Sequence, residues 1–323
     1  MAVPDTKEKW TGTVNSLTIG ATSEQGGTRT GSVTVGGAGC LPGLDFEGPK
    51  GTRPAIAVEI WDSDGETLSA PLCQAYGDSL KNVADWAKKA VEFGAEMVCL
   101  KLQGTHPDAG DRSAEQACDD VKAVLEAVGV PLIIWGCGVH DKDNEVLPRC
   151  CQTASGENCL FGSITEKNYR TLVAACLADK HKILAESPLD INIAKQVNIL
   201  ASDVGFALED IVIFPTTASL GYGLEYVYSI MERGRLAALT GDKLLQQPVL
   251  CNVGFEAWRA KEARGSDEEV PGFGPAEKRG PLWEAATATN LFQAGADIFV
   301  MRHPEAIKML SDSLDEYYGP RGD

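Results

Sequence analysis

The sequence predicts an α/β fold: a (β/α)8 TIM barrel with an N-terminal β-hairpin arm. Three observations carry this. Eight short apolar runs recur from residue 55 onward at intervals of about 35 residues, the repeat expected of a strand, a helix and two loops. The runs lack polar alternation, as parallel strands buried on both faces do. Residues 1–50 have a different texture, rich in Gly and Thr and without a helical period. The 323 residues, 44% hydrophobic and 23% charged, suffice for one barrel plus an appendage. A doubly wound open sheet is the alternative arrangement of the same βα rhythm. The expected division is an arm and linker over 1–50 and a barrel over 51–323.

Trp10–Ile19 and Thr28–Val35 read as strands, with Thr22–Gly27 as the turn between them. A lone hairpin is marginal in water, so it should dock on something, and the expectation is that it extends an interface with a partner chain. Gly36–Gly43 lacks the Gly-Lys-Ser/Thr of a phosphate loop and reads as a linker. The barrel strands are Ala55–Ile60, Met97–Leu102, Leu132–Trp135, Cys159–Gly162, Lys182–Ala185, Asp210–Phe214, Pro248–Asn252 and Asp297–Met301.

Between them, Leu80, Val83, Ala84, Ala87, Ala90 and Val91 form a helical stripe closed by Gly94. Ala117, Val121, Val124, Leu125 and Val128 form another, opened by the capping box Ser113-x-x-Gln116 and closed by Gly129. Ile193, Ala194, Val197, Leu200, Ala201 and Val204 end at Gly205. Pro304 falls in the first turn of the last helix, where its missing N–H has no partner to lose. Phe255–Pro281, charged and rich in Gly and Pro, reads as a long loop after the seventh strand.

Lys+Arg 29 against Asp+Glu 46 leaves a net charge of -17. Sequence-independent binding to nucleic acid, or to an anionic membrane, needs basic surface, so neither partner is expected. No apolar run approaches the ~18 residues of a membrane span. Met1–Thr6 lacks the basic and apolar regions of a secretory signal. A cytoplasmic location is expected, where the ten cysteines stay reduced. They include no Cys-x-x-Cys and read as small buried hydrophobes, Cys99 and Cys251 lying inside apolar runs.

Barrels of this kind bind ligands at the loops following the strands. His106, His140 and His303 fall on this side, without a His-Glu-x-x-His, and read as loop and capping residues. No Gly-x-Ser-x-Gly marks a nucleophile elbow. Glu59, Glu186 and Glu225 could act as general bases only if burial raised their pKa; solvated or capping carboxylates are the plainer reading. The most distinctive loop follows the sixth strand. Thr216 and Thr217 offer hydroxyls, Gly221 and Gly223 admit close backbone approach, and Tyr222 offers a flat face beside Leu220. A tight helix entry is the competing reading of that loop. Gly136 and Gly138 after the third strand, Ser187 after the fifth and Asn252 after the seventh complete a polar, Gly-rich face. It suits holding a large amide-fringed ligand by hydrogen bonds better than proton transfer, and no catalytic or metal-ligating residue is assigned.

Two long segments carry a family resemblance. Ala185-Glu-Ser-Pro-Leu-Asp-Ile-Asn-Ile-Ala-Lys-Gln-Val-Asn-Ile-Leu200 and Pro215-Thr-Thr-Ala-Ser-Leu-Gly-Tyr-Gly-Leu-Glu-Tyr-Val-Tyr-Ser-Ile-Met-Glu-Arg233 resemble the small subunit of the corrinoid iron-sulfur protein. That family includes the delta subunit of the archaeal acetyl-CoA decarbonylase/synthase complex. Val35-Gly-Gly…Leu41-Pro, Ala57-Val-Glu-Ile60 and Gly241-Asp-Lys-Leu-Leu-Gln-Gln-Pro248 extend the match to the last helix.

The resemblance implies a (β/α)8 barrel paired with a large subunit that carries a [4Fe-4S] cluster and a corrinoid-binding domain. A cobamide, a cobalt corrinoid, would be shared between that domain and the C-terminal face of this barrel. It implies a methyl carrier between methyltetrahydrofolate, through a separate methyltransferase, and acetyl-CoA synthase/CO dehydrogenase in the anaerobic acetyl-CoA (Wood-Ljungdahl) pathway. Consistently, no cluster motif and no Asp-x-His-x-x-Gly cobalt-ligand pattern is present; His181 follows Asp179 but has Leu184 three residues on and precedes its strand. Two alternatives stay open. One is a pterin-binding TIM-barrel methyltransferase, for which Asn252 and Asp62 are the available strand-end groups. The other is a docking subunit with no cofactor contact.

Overall fold

The computed structural model describes residues 6–65 and 67–320. Residues 1–5, on which the reading of the chain's start rests, lie outside them. A two-stranded antiparallel hairpin, β1 (Ser16–Ile19) and β2 (Val33–Gly36), comes first. The rest alternates: β3 (Ala55–Trp61), α1 (Ala70–Tyr76), α2 (Val83–Glu92), β4 (Met97–Lys101), α3 (Ala114–Ala127), β5 (Leu132–Trp135), α4 (His140–Thr153), β6 (Leu160–Ile164), α5 (Tyr169–Asp179), β7 (Lys182–Glu186), α6 (Ile191–Asp203), β8 (Ile211–Phe214) and α7 (Leu224–Leu239). Then follow β9 (Leu250–Cys251), α8 (Val253–Ala257), α9 (Lys261–Arg264), α10 (Ala276–Gln293), β10 (Ile298–Met301) and α11 (Pro304–Tyr318).

The eight strands of the larger sheet run parallel in the order β8-β7-β6-β5-β4-β3-β10-β9. A parallel bridge between Ile213 and Val249 joins the two ends, so the sheet closes into the predicted barrel and is not an open doubly wound one. The local signals work as the sequence suggests. Ser113 and Gln116 form a reciprocal capping box at α3. Asp190 caps α6 by accepting from the N–H groups of Asn192 and Ile193. Pro304 occupies the first turn of α11.

Several boundaries differ from expectation: the hairpin strands shorten to Ser16–Ile19 and Val33–Gly36, most barrel strands shift by one residue at an end, and three differences bear on the site. The fourth barrel strand starts later and runs to Ile164. The seventh shrinks to two residues: Pro248 has no N–H to give a ladder, and its carbonyl instead accepts from Ile213 N–H at 2.8 Å. Phe255–Pro281 is not a loop throughout. It contains α9 and the start of α10, and Pro281 lies inside α10. Arg279, 3% exposed, organises this segment by donating to the carbonyls of Glu262, Gly265 and Gly274. Those bonds supply order that Gly- and Pro-rich composition conceals.

The sequence leaves open where the hairpin's apolar face goes. It docks on this chain's own barrel. Leu17, Ile19, Val33 and Val35 enter the same cluster as the lumen residues Ala57, Cys99, Ile133, Leu184, Val212 and Val300. The hairpin is thus a plug in the N-terminal end of its own barrel, and Leu17, Ile19, Val33 and Val35 share the barrel's core. The physical reason is that an open barrel end exposes lumen side chains, and the hairpin's alternating apolar face covers them. Buried Arg29 fastens the plug: it pairs with Glu157 at 2.8 Å and donates to the carbonyls of Val128 and Leu125. Gly36 turns with φ 88° against Asn15, where a Cβ would lie 2.0 Å from the Asn15 carbonyl oxygen.

Outside the strands, a second and larger core packs the helices onto the barrel wall. The ten cysteines are free, and most are buried in these cores, with Cys151 and Cys176 sulfurs 3.7 Å apart. No helix among the described residues is long and apolar enough to cross a membrane.

Candidate functional site: the barrel mouth

Side chains alternate along each strand, so the lumen positions of the lower layers project upward by steps of two. Ala57, Cys99, Ile133, Leu184, Val212, Leu250 and Val300 are apolar lumen residues. Two residues further on stand Glu59, Lys101, Trp135, Glu186, Phe214, Asn252 and Arg302. The same strands that build an apolar lumen therefore end in a charged, aromatic and polar ring. Above it lies a cavity of about 220 Å³, lined by Lys101, Trp135, Ser163, Glu186, Asn252 and Phe255 among others.

Charge in this ring is mostly compensated. Arg302 pairs with Glu59 at 2.5 Å, and Trp61 Nε1 donates to the same carboxylate oxygen at 2.6 Å. Burial alone would push the Glu59 carboxyl up, but Arg302, Lys101 and the hydrogen bonds outweigh it and hold the pKa below its ordinary value. The Arg302 guanidinium lies 5.2 Å from the Trp61 ring centre and 5.5 Å from that of Phe255. Glu284 of α10, fully buried, fixes this corner by accepting from Trp258 Nε1 at 2.6 Å and from the backbone N–H groups of Arg302 and His303. Burial nevertheless pushes the Glu284 carboxyl up to about 7.

Besides Glu59 Oε2, which has no hydrogen-bond partner, two groups in the ring remain open. Lys101 Nζ sits 4.2 Å from the Phe255 ring centre and 5.9 Å from that of Trp135, with no carboxylate in ion-pair reach among the described residues. Asn252 is 3% exposed, and its Oδ1 has no hydrogen-bond partner. Glu186 receives the Ser163 hydroxyl.

The ten residues singled out from sequence divide into three groups. Gly136, Gly138, Thr216, Thr217 and Asn252 line the cavity together. Asp143 accepts from the N–H groups of Cys137 and Gly138, so that loop's amides are already used; a Cβ at Gly136 would lie 2.4 Å from the Asp143 carboxylate. Thr216 holds a left-handed φ of 64°, a strained state for a residue other than Gly. Thr217 Oγ1 accepts from Asn252 N–H at 2.8 Å. The second group, Leu220, Gly221, Tyr222 and Gly223, stands on the rim. Leu220 O accepts from Trp283 Nε1, and the Tyr222 hydroxyl donates to Glu262 at 2.7 Å, which turns Tyr222 toward α9. Third, Ser187 faces away and lines a small apolar void between α6 and α7.

Of the other candidates, Glu225 is exposed on the first turn of α7, and Asp62 is occupied. Gly104 N–H donates to Asp62 at 2.6 Å and Arg112 approaches it, while burial pushes its carboxyl up to about 6. His106, His140 and His303 do not converge with other ligating groups; among the described residues no cluster able to hold a metal ion occurs. Lys101, Trp135, Phe214 and Phe255 were missed, and Glu186 was weighed only as a general base and not as part of the cavity wall. All but Phe255 follow from extending the period-two lumen pattern one step past each apolar run.

Comparison with known proteins agrees with this architecture. Residues 17–312 match the family described as CO dehydrogenase/acetyl-CoA synthase delta subunit. The acetyl-CoA decarbonylase/synthase complex subunit delta of Archaeoglobus fulgidus is 38% identical over 319 residues, covering 97% of this chain and 70% of that protein. The delta 1 subunit of Methanosarcina thermophila is 37% identical over 317 residues, covering 96% and 72%. Among solved structures, a dihydropteroate synthase from Coxiella burnetii in complex with pteroic acid superposes with a TM-score of 0.57 at 13% identity, over 83% of this chain and 94% of that one. The Xanthomonas albilineans enzyme gives 0.55 at 12% identity, over 82% and 92%. At such identities the structural likeness speaks for the TIM-barrel fold alone. The sequence match is of another order: this chain belongs to the CO dehydrogenase/acetyl-CoA synthase delta subunit family.

Proposed function

We propose that this chain is the small, barrel subunit of a corrinoid iron-sulfur protein, a methyl-group carrier in the anaerobic acetyl-CoA pathway. In this reading the barrel mouth caps a cobamide whose other side is held by a large subunit, which also carries the [4Fe-4S] cluster. The assembly receives methyl groups from methyltetrahydrofolate through a methyltransferase and delivers them to acetyl-CoA synthase/CO dehydrogenase. Cobalt, when bound, supplies the methyl-accepting chemistry.

The observation that supports the reading is the state of the mouth. These three carboxylates each have at least one partner: Glu59 has Arg302, Asp62 has Gly104 and Arg112, and Glu186 has the Ser163 hydroxyl. That leaves a hydrogen-bonding surface and no free acid/base pair, which suits covering a ligand more than transforming it. The residues fit an amide-fringed corrin in one specific respect: the unpartnered Asn252 Oδ1 is an acceptor for an amide N–H. The cavity is too small for the ring itself, which would lie across the rim formed by Thr216, Leu220, Gly221, Tyr222 and Gly223. This chain's own work is then to exclude water and hold the ring's edge.

The test is the double variant Thr216→Ala with Tyr222→Ala in the reconstituted assembly. Corrinoid retention should fall, or oxidation of the reduced cobalt should quicken. Unchanged retention and oxidation rate would remove the assignment.

Asn252 also favours a second reading, a pterin site in a methyltransferase, although Asp62 is spent elsewhere. Quenching of pterin fluorescence on mixing the isolated chain with methyltetrahydrofolate would support it.

A further inference from the structure

The mouth cavity contains a donor and acceptors that no residue of this chain satisfies. Asn252 Oδ1 is buried and unpartnered, a desolvation cost that a ligand N–H would relieve. Lys101 Nζ is half-buried, rests on aromatic faces and lacks a carboxylate partner among the described residues. Glu186 has one donor, the Ser163 hydroxyl, and room for more. Glu256 also lines the cavity, paired outward with Arg259 at 3.1 Å.

This combination selects against ions. An anion drawn to Lys101 would meet the Glu186 and Glu256 carboxylates. A cation drawn to the carboxylates would meet Lys101. A neutral group that presents a carbonyl oxygen to Lys101 and N–H to Asn252 and Glu186 satisfies all three. The walls add a shape condition. Trp135 and Phe214 meet edge to face with ring centres 4.9 Å apart, and Phe255 lies on the Lys101 side. A flat group is therefore favoured, and about 220 Å³ limits it to an amide-bearing arm or a compact heterocycle.

We infer that the barrel mouth is a recognition site for a neutral carboxamide, a C=O beside an N–H, held between Lys101, Glu186 and Asn252. The inference rests on the corrinoid reading only for the identity of the molecule that bears the amide. One source is a peripheral amide arm of a corrin lying on the rim. The other is the cyclic amide of a free pterin.

The full-length chain is titrated with propionamide, propionate, dicyanocobinamide and 5-methyltetrahydrofolate, followed by tryptophan fluorescence and calorimetry. Propionamide should bind in preference to propionate and compete with one of the two larger probes. Asn252→Leu and, separately, Lys101→Met should each weaken binding by about tenfold while near-UV circular dichroism stays native. No propionamide binding, a preference for propionate, or unchanged affinity in both folded variants overturns the inference. Cobinamide binding that survives Asn252→Leu and Lys101→Met but is lost in Thr216→Ala with Tyr222→Ala overturns the amide site and leaves the corrinoid reading standing. Competition by methyltetrahydrofolate and not by cobinamide supports the amide site and removes the corrinoid reading.

Discussion

At the base of the barrel, Leu17, Ile19, Val33 and Val35 of the hairpin complete an apolar lumen, and a buried ion pair there, Arg29 with Glu157, is held by several hydrogen bonds. At the mouth, the same strands end in Glu59, Lys101, Glu186, Asn252 and Arg302 around a cavity, with an unsatisfied acceptor and a strained Thr216. The lumen base is packed by the hairpin's apolar face, whereas the mouth keeps a cavity and an unpartnered acceptor. In the proposed reading, the packed base serves stability and the mouth, where the chain leaves hydrogen-bonding capacity unused, serves binding. That division is expected when a rigid scaffold carries a site it does not itself complete.

The comparison breaks most severely if the plug is removed. Deleting residues 1–36 takes four buried side chains out of the lumen, about 6–12 kcal/mol of burial by transfer bookkeeping. That rivals the whole stability of a typical domain. The truncated chain should be insoluble or lack a native near-UV dichroism spectrum. A soluble product with an unshifted cooperative melt would show that the barrel folds without the hairpin.

A single substitution at the same end comes next. Glu157 accepts from Arg29 Nε, Thr28 N–H and the Thr28 hydroxyl. Glu157→Ala leaves the Arg29 guanidinium buried without its counter-charge, and breaking a buried pair this way costs about 3–5 kcal/mol. Urea unfolding should shift by that much; a loss under 1 kcal/mol would mean Arg29 finds water.

The hairpin shows why the two ends were unequally legible from sequence. Its strands and turn were readable because alternation is local. Its destination was not, because nothing in Leu17 or Val35 says whether the apolar face meets a partner or the same chain's lumen. The barrel itself was legible: eight apolar runs with capped helices between them admit few topologies. At the mouth, Gly- and Thr-rich loops drew attention, yet half of the cavity wall comes from strand ends such as Lys101, Trp135 and Glu186. Their lumen position was present in the period-two pattern. Their isolation from salt-bridge partners was not, since that depends on which loops fold over them. Ser187 shows the reverse failure, a polar residue after a strand that turns outward.

The pH dependence of stability sharpens the comparison from the mouth side. Glu284 is raised from 4.5 to about 7 by burial, against the opposing pull of Trp258, the Arg302 and His303 amides and the Arg302 charge. A raised carboxyl holds its proton more tightly in the folded state. Its contribution is complete below pH 4.5 and is lost as pH rises through about 7. The loss amounts to about 3 kcal/mol. Asp62, raised to about 6, acts in the same direction. Glu284→Gln, neutral at every pH, should flatten the fall in unfolding free energy between pH 5 and pH 8. A variant whose pH profile parallels the parent's would show that Glu284 stays ionised.

The smallest effect on stability is expected where the effect on binding is largest. Replacing a buried polar group usually costs stability because a partner is stranded. Asn252 Oδ1 has no partner to strand. Leu at this position removes the desolvation cost of that oxygen, and the backbone N–H of residue 252 keeps its bond to Thr217. Unfolding free energy of Asn252→Leu should therefore stay within about 1 kcal/mol of the parent or exceed it, set against the multi-kilocalorie losses at the base. Asn252 would then be a residue whose cost to the folded chain is recovered only when something binds. A loss above 2 kcal/mol in urea unfolding would mean that the Asn252 side chain is satisfied within the fold, and the contrast between a sealed base and an open mouth would lose its sharpest instance.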